Sequence, residues 1–408
     1  MLRFLYQKYE VRQILLTKSI KSNLIKLCIL RGLAFAWFPI PTIVLFYESY
    51  GLNIEQIVWL KTILSLSVLL LEVPSGYLAD RWGRKACLVV GSGVWVGSWL
   101  IYCTGGSFNE FAIAEVLAGV AGSLISGANT ALCYDTLLQL GKEKYYQAWE
   151  GRLVAIAGIS EAVCGIIGAA IASINLVYPF YLQTVCLSIY FGLALTLVEP
   201  KCHKPIAKTQ QLGQLKDIIV DVLKRPRLRW LILLSGTFSS ASFLIVWLSQ
   251  DYLKQLNIPI QAFGWAWAIF HIGMSLASIN AHRFQSIFGI KKATLVLVLI
   301  LAASYICLGN IDRLWGIVFI MGIYIVRGLC SPIILNAVNQ QISSSVRATI
   351  LSINSLVFRI AFAVIAPIIG AIASRYNLFT GLTVAGCLFL ILGWFCWWRL
   401  TKVKAFAS

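Results

Sequence analysis

Apolar residues run along this chain in long stretches separated by short polar turns, and within the stretches hydrophobicity does not alternate at every second position. Stretches of about 18 residues or more cross the roughly 30 Å hydrocarbon layer as helices. A membrane barrel would need apolar and polar residues in strict alternation, so the pattern predicts helices. The first six spans fall near Leu24 to Phe46, Ile54 to Leu78, Ala86 to Cys103, Phe111 to Leu138, Leu153 to Ile174 and Tyr178 to Val198. Six more follow near Trp230 to Tyr252, Ile260 to Asn280, Ala293 to Leu308, Leu314 to Ile342, Ala348 to Ala373 and Leu378 to Trp398. The expectation is an all-α membrane protein with about 12 transmembrane helices in two six-helix bundles.

Composition fits that reading, since 59% of the residues are hydrophobic and only 12% charged, too few to coat a soluble domain. The formal charge of +18 does not signal nucleic acid, because the bases sit in the short turns between apolar stretches. Of the 34 Lys and Arg, only Lys61, Lys254, Arg313 and Arg375 are read on one side, which puts that side outside and both termini in the cytoplasm of a cell membrane. Arg3, Lys8, Arg12, Lys18 and Lys21 form a basic lead-in on the membrane surface, without the cleavage site of a signal peptide.

The most basic connection, Glu199 to Arg229, divides the chain into residues 1–198, a linker 199–229 and residues 230–408. Leu212, Leu215, Ile218, Ile219 and Val222 recur in it at helical spacing, predicting a short surface helix. The two halves also echo one another: the second turn ends Gly83-Arg84-Lys85-Ala86, and the eighth ends Gly289-Ile290-Lys291-Lys292-Ala293. A duplicated unit places a solute path between halves that rock against each other.

The second turn is the densest charge cluster of the chain, Gly76-Tyr77-Leu78-Ala79-Asp80-Arg81-Trp82-Gly83-Arg84-Lys85. Gly76 would let another helix approach, Gly83 permits a tight turn, and Asp80 can accept from the free N–H groups that open the third span. The decapeptide resembles the G-x-x-x-D-R-x-G-R-K/R signature of the major facilitator superfamily, and the six-plus-six layout extends the resemblance over most of the chain. Leu71-Glu72-Val73-Pro74-Ser75 and Arg347-Ala348-Thr349-Ile350-Leu351-Ser352 resemble one group of bacterial permeases within it. The resemblance implies a secondary active transporter in which Asp80, Arg84 and Asp135 latch the cytoplasmic side; otherwise these charges only fix topology. Glu115 stands where proton-coupled members often carry an arginine, and Gly158, Gly165 and Gly168 lack the proline of the antiporter branch.

Ionisable residues within membrane spans are functional candidates by default. Arg31 and Glu72 lie roughly 10 Å from the cytoplasmic ends of their spans and are expected either to pair or to move protons. Glu115 lies close to the outer boundary. Glu161, His271, Arg327 and Arg359 fall near the midplane, where transporters hold their cargo. Arg327 is expected either to grip an anionic or carbonyl group or to pair with Glu161 or another acid. Glu161 is the preferred proton carrier or a structural acid, and His271 a titrating group or a hydrogen-bonded core residue. Trp95, Trp99, Trp397 and Trp398 read as interfacial anchors, whereas Trp37, Phe38, Trp247 and Trp265 are candidates for a cavity wall.

The 11 Cys show no paired spacing, and neither a metal cluster, a cofactor motif, a nucleotide-binding P-loop nor a catalytic constellation is evident. The expected activity is transport of a small organic solute by a monomer that works with protons and lipid, not an enzyme. Proton-coupled export leads; a nutrient importer or an uncoupled, channel-like facilitator is the alternative.

Overall fold

The computed structural model describes residues 20–200, 220–342 and 347–403, and among them there are helices and turns but no strand. The helices are α1 (residues 20–34), α2 (Ile43–Ser49), α3 (Ile54–Trp82), α4 (Arg84–Thr104), α5 (Phe108–Gln139), α6 (Tyr146–Ala172) and α7 (Tyr178–Leu195). After the basic connection come α8 (residues 220–224), α9 (Pro226–Gln255), α10 (Ile260–Ile279), α11 (Ala281–Leu308), α12 (Ile317–Asn339), α13 (Arg347–Arg375) and α14 (Leu378–Lys402). Among the described residues, 11 helices are long and apolar enough to cross a membrane: α3 to α7 and α9 to α14. The basic lead-in up to Lys18 and most of the surface helix expected around Leu212 to Val222 lie outside the described residues.

The span expected over Leu24 to Phe46 is not one helix. Residues 35–39 leave the helical conformation, Ile40–Thr42 form a single 3-10 turn, and α2 starts afresh at Ile43. Pro39 and Pro41 explain the break: each lacks an amide proton, clashes with the carbonyl four residues earlier, and turns the residue before it away from helix. A freed amide in the membrane costs several kcal/mol unless it finds an acceptor. Two buried glutamines supply acceptors, Gln183 Oε1 taking the Phe38 N–H at 3.3 Å and Gln250 Oε1 the Val44 N–H at 3.0 Å. The Phe38 carbonyl in turn lies so close to Gly168 that any Cβ there would collide with it.

The chain forms two compact units, Met1–Ile40 with Leu70–Ala207, and Pro41–Leu69 with Lys208–Ser408. In the first, α4 packs along α5 and α7. Its core is aromatic: Trp37 meets Trp95 at 5.7 Å between ring centroids, Trp99 meets Phe180 at 5.7 Å, and Tyr102 stacks on Phe111 at 5.6 Å. Trp95 and Trp99 are therefore core residues rather than the interfacial anchors expected, because their face of α4 turns toward α7. α5 opens with a reciprocal cap, Ser107 accepting from the Glu110 N–H while Glu110 accepts from the Ser107 N–H. Ile159, Leu70 and Ile174 stay exposed, as lipid-facing residues do.

In the second unit α9 packs against α12, α13 and α14, and α11 against α12 and α14. The helix around Ala293 begins twelve residues early, at Ala281, with a kink at Gly289 (φ 66°, ψ 153°). Gly83 in the first unit has nearly the same backbone, φ 95° and ψ 159°. That region is open only to glycine, so the two turns that echo one another in sequence also share a conformation.

Candidate functional site

Several clusters of polar side chains emerge from these packings. In the first unit Arg31, on α1, reaches α6, where its Nη2 lies 3.9 Å from Glu150 Oε1. The partner expected from the sequence was Glu72; the packing of α6 on α1, fixed by Ser160 Oγ donating to the Gly32 carbonyl at 2.7 Å, brings Glu150 instead. The Arg31 guanidinium also lies 4.9 Å from the Phe35 ring centre. This is a loose ion pair, longer than a hydrogen bond.

At the turn between α3 and α4, Arg84 Nε lies 3.8 Å from Asp135 Oδ2 on α5, so two members of the expected latch meet. The side chain of Asp80 lies outside the described structure. The free amides that open α4 are instead taken by Glu199, whose carboxylate accepts the Arg84 N–H at 2.7 Å and the Lys85 N–H at 2.6 Å. Sequence reasoning had placed Glu199 at the start of the linker and given it no role. A carboxylate on a helix N-terminus also complements the helix dipole. A Cβ on Gly83 would press on that carboxylate at 2.9 Å, a second reason for glycine there. Arg81 is exposed, and among the described residues nothing lies within 4 Å of a Cβ on Gly76, where a close helix approach had been expected.

The second unit holds a cavity of about 320 Å³. α12 contributes Arg327 and, one turn on, Ser331; α13 contributes Asn354 and Phe358; α9 contributes Ser235 and Ser239. Among the described residues no Asp or Glu lines it. Among the described residues Arg327 makes no ion pair and no hydrogen bond, and Asn354 Oδ1 is buried without a donor. The expected alternative of a buried Arg327 pair is thus not what is found.

The hydroxyls of α9 divide into two groups. Thr237, Ser240, Ser242 and Ser249 donate to carbonyls three or four residues back in their own helix, the usual resting place of a helical hydroxyl. Ser235 and Ser239 make no hydrogen bond among the described residues, and both line the cavity, as does the bonded Ser242.

The other midplane candidates are tied down locally. His271 Nδ1 lies 2.9 Å from the Trp267 carbonyl, with its ring 4.3 Å from Trp267 and 5.4 Å from Tyr324, the hydrogen-bonded core reading. Arg359 leans on the Phe358 ring at 5.7 Å. Glu115 is buried in α5, Glu72 lies in α3 and Glu161 in α6, and none of the three joins the cavity of the second unit.

Lys61 is the residue most misjudged from sequence. Read as a marker of an outer turn, it lies inside α3 at 2% exposure. Its ammonium donates to Tyr47 Oη at 2.9 Å and sits 4.8 Å from the Tyr47 ring centre and 4.9 Å from that of Trp247. Trp247, a candidate cavity wall, is thus one side of a cation cage. Trp265, another of those candidates, is 59% exposed. Nearby in the same unit Lys254 Nζ meets Glu48 Oε2 at 2.6 Å.

The model of the Major Facilitator Superfamily matches residues 28–250. An uncharacterized MFS-type transporter of Bacillus subtilis (strain 168), YceJ, is 23% identical over 322 residues, 77% of this chain and 79% of its own. Among solved structures, the nucleoside transporter NupG superposes with a TM-score of 0.77 at 15% identity, covering 93% of this chain and 98% of that one. The D-xylose-proton symporter superposes with a TM-score of 0.70 at 14% identity, covering 92% and 97%. These relatives are transporters rather than enzymes, and the family match spans more than half of the sequence. With its long apolar helices and the charged turn at Gly83, the chain belongs to the Major Facilitator Superfamily, a multi-pass membrane protein of transport.

Proposed function

We propose that the protein is a secondary active transporter that carries a small organic solute across the cell membrane by alternating access, with 12 crossings (one more than the 11 long helices) in two six-helix bundles and both termini cytoplasmic. The observation that carries this reading is the cavity beside Arg327: a charged, hydroxyl-bearing hollow among membrane helices has no structural use without a polar cargo. The shared conformation of Gly83 and Gly289 supports a duplicated unit. In the division proposed from sequence, residues 1–198 and 230–408 carry the two sets of six spans and 199–229 the linker, although Pro41–Leu69 packs within the second compact unit.

The working parts follow. Arg84 with Asp135, joined by Asp80, latch the cytoplasmic side, with Gly76, Arg81 and Gly83 shaping the turn. Glu161 carries the proton, and coupling draws support from the likeness in fold to a D-xylose-proton symporter. Export is the proposed direction, and the protein works as a monomer.

The test is reconstitution into proteoliposomes with an imposed pH gradient. Saturable solute movement that stops when the gradient is collapsed is the expected result. Flux indifferent to the gradient would leave a facilitator, and gradient-driven uptake into right-side-out cells would leave an importer. Glu161→Gln should abolish gradient-driven flux while sparing solute exchange; an unchanged pH dependence removes Glu161 from the coupling path. Full transport by normally expressed Asp80→Asn removes the latch.

A further inference from the structure

Resting on the transporter reading, we infer that the cargo of the Arg327 cavity is a small hydroxylated monocarboxylate with a flat apolar or aromatic face. The charge, polar groups, rings and size of the wall together select it. The guanidinium of Arg327 has no carboxylate of the described protein to neutralise it, and its planar fork matches a carboxylate in two parallel hydrogen bonds. In a site set among membrane helices a neutral cargo would leave that charge both unpaired and stripped of water.

Among the described residues Arg327 is also the only cation on the wall, which suits one negative charge and disfavours a phosphate or dicarboxylate. With no Asp or Glu among the described residues of the wall, an ammonium group finds no counter-ion there, which separates a hydroxy acid from an amine or an amino acid. The cargo's own donor is called for by Asn354 Oδ1, a buried acceptor without a partner, and the hydroxyls of Ser235, Ser239 and Ser331 stand ready for further polar atoms. A neutral hydroxyl meets both demands.

The rest of the wall is apolar. Phe238, Phe243 and Phe358 line it, Phe243 meeting Phe358 edge-on at 5.7 Å, so a flat face of the cargo has rings to lie against. A volume of about 320 Å³ is at the small end for ligand sites and limits the body to about one ring or a short chain.

The test is calorimetric titration of the purified full chain with 4-hydroxybenzoate, mandelate and gluconate, beside the neutral 4-hydroxybenzamide, the cationic tyramine, unsubstituted benzoate and uridine. A hydroxycarboxylate should bind about 10- to 100-fold more tightly than its neutral or cationic counterpart. Arg327→Gln should erase that preference, Arg327→Lys should restore part of it, and Asn354→Leu should weaken 4-hydroxybenzoate while sparing benzoate. Should Arg327→Gln fail to fold, Arg327→Lys and Asn354→Leu carry the test. Equal binding of 4-hydroxybenzamide and 4-hydroxybenzoate, tighter binding of uridine or tyramine, or no binding of any hydroxycarboxylate overturns the assignment. Flux is read separately: carboxylate binding that depends on Arg327 but is never followed by movement across proteoliposomes keeps the cargo class and sinks the transporter.

Discussion

Arg31 and Arg327 are both helical arginines, one in each compact unit, yet their surroundings differ. Arg31 has a carboxylate 3.9 Å away, a phenylalanine ring beneath it and 20% of its side chain exposed. Arg327 lines a cavity with serines and an asparagine and has no acid to pair with among the described residues. The contrast teaches that what surrounds a charge marks it as working or structural. A charge whose field is already met by the protein holds helices together, whereas a charge left unmet in a polar hollow is available to a guest.

The largest expected effect follows from removing the unmet charge. Arg327→Gln should cut solute exchange by about 100-fold with no fall in melting temperature, because no protein partner is orphaned. A drop in melting temperature with intact exchange would place Arg327 beside Arg31 as a structural group. Next in size is Gln183→Leu, which leaves the buried Phe38 N–H without its acceptor and should lower unfolding free energy in denaturant by about 1–3 kcal/mol.

Glu150→Gln should cost less, about 1 kcal/mol, since the Arg31 pair is long and partly hydrated. The double change Arg31→Gln with Glu150→Gln should recover most of that loss; loss of transport at unchanged stability would instead move Arg31 to the working side. Arg81→Gln sets the floor. Exposed on the turn, Arg81 should shift stability by no more than about 0.5 kcal/mol, read by the same denaturant titration.

Hydropathy made most of the helices legible, because a lipid-facing helix must be apolar along its length whatever it packs against. It hid the break in the first span for the same reason: averaging over a window absorbs Pro39 and Pro41, although each proline taken singly announces the interruption. Arg327 was legible as an isolated base far from any turn. Glu150 was not, since Lys144, Glu150 and Arg152 together look like a solvated loop, and only the docking of α6 on α1 shows which charge is used. Lys61 was read as a loop marker because lysines usually are; its cage is assembled from Tyr47 and Trp247, distant in sequence and joined only by folding. Glu199 was missed because a helix cap supplied from more than a hundred residues away leaves no local pattern.

Assignment of Pro41–Leu69 to the second unit means that the chain's midpoint is not its seam. A fragment beginning at Lys208 would be born without a piece of its own interior. Gln250 would face no Val44 amide, Lys254 no Glu48 carboxylate, and Trp247 no Lys61 ammonium. Cutting the gene in the basic connection would therefore yield an N-terminal product that rescues its companion only by lending it two helix segments, so that co-synthesis, rather than mixing of separately purified halves, is the route to a working pair.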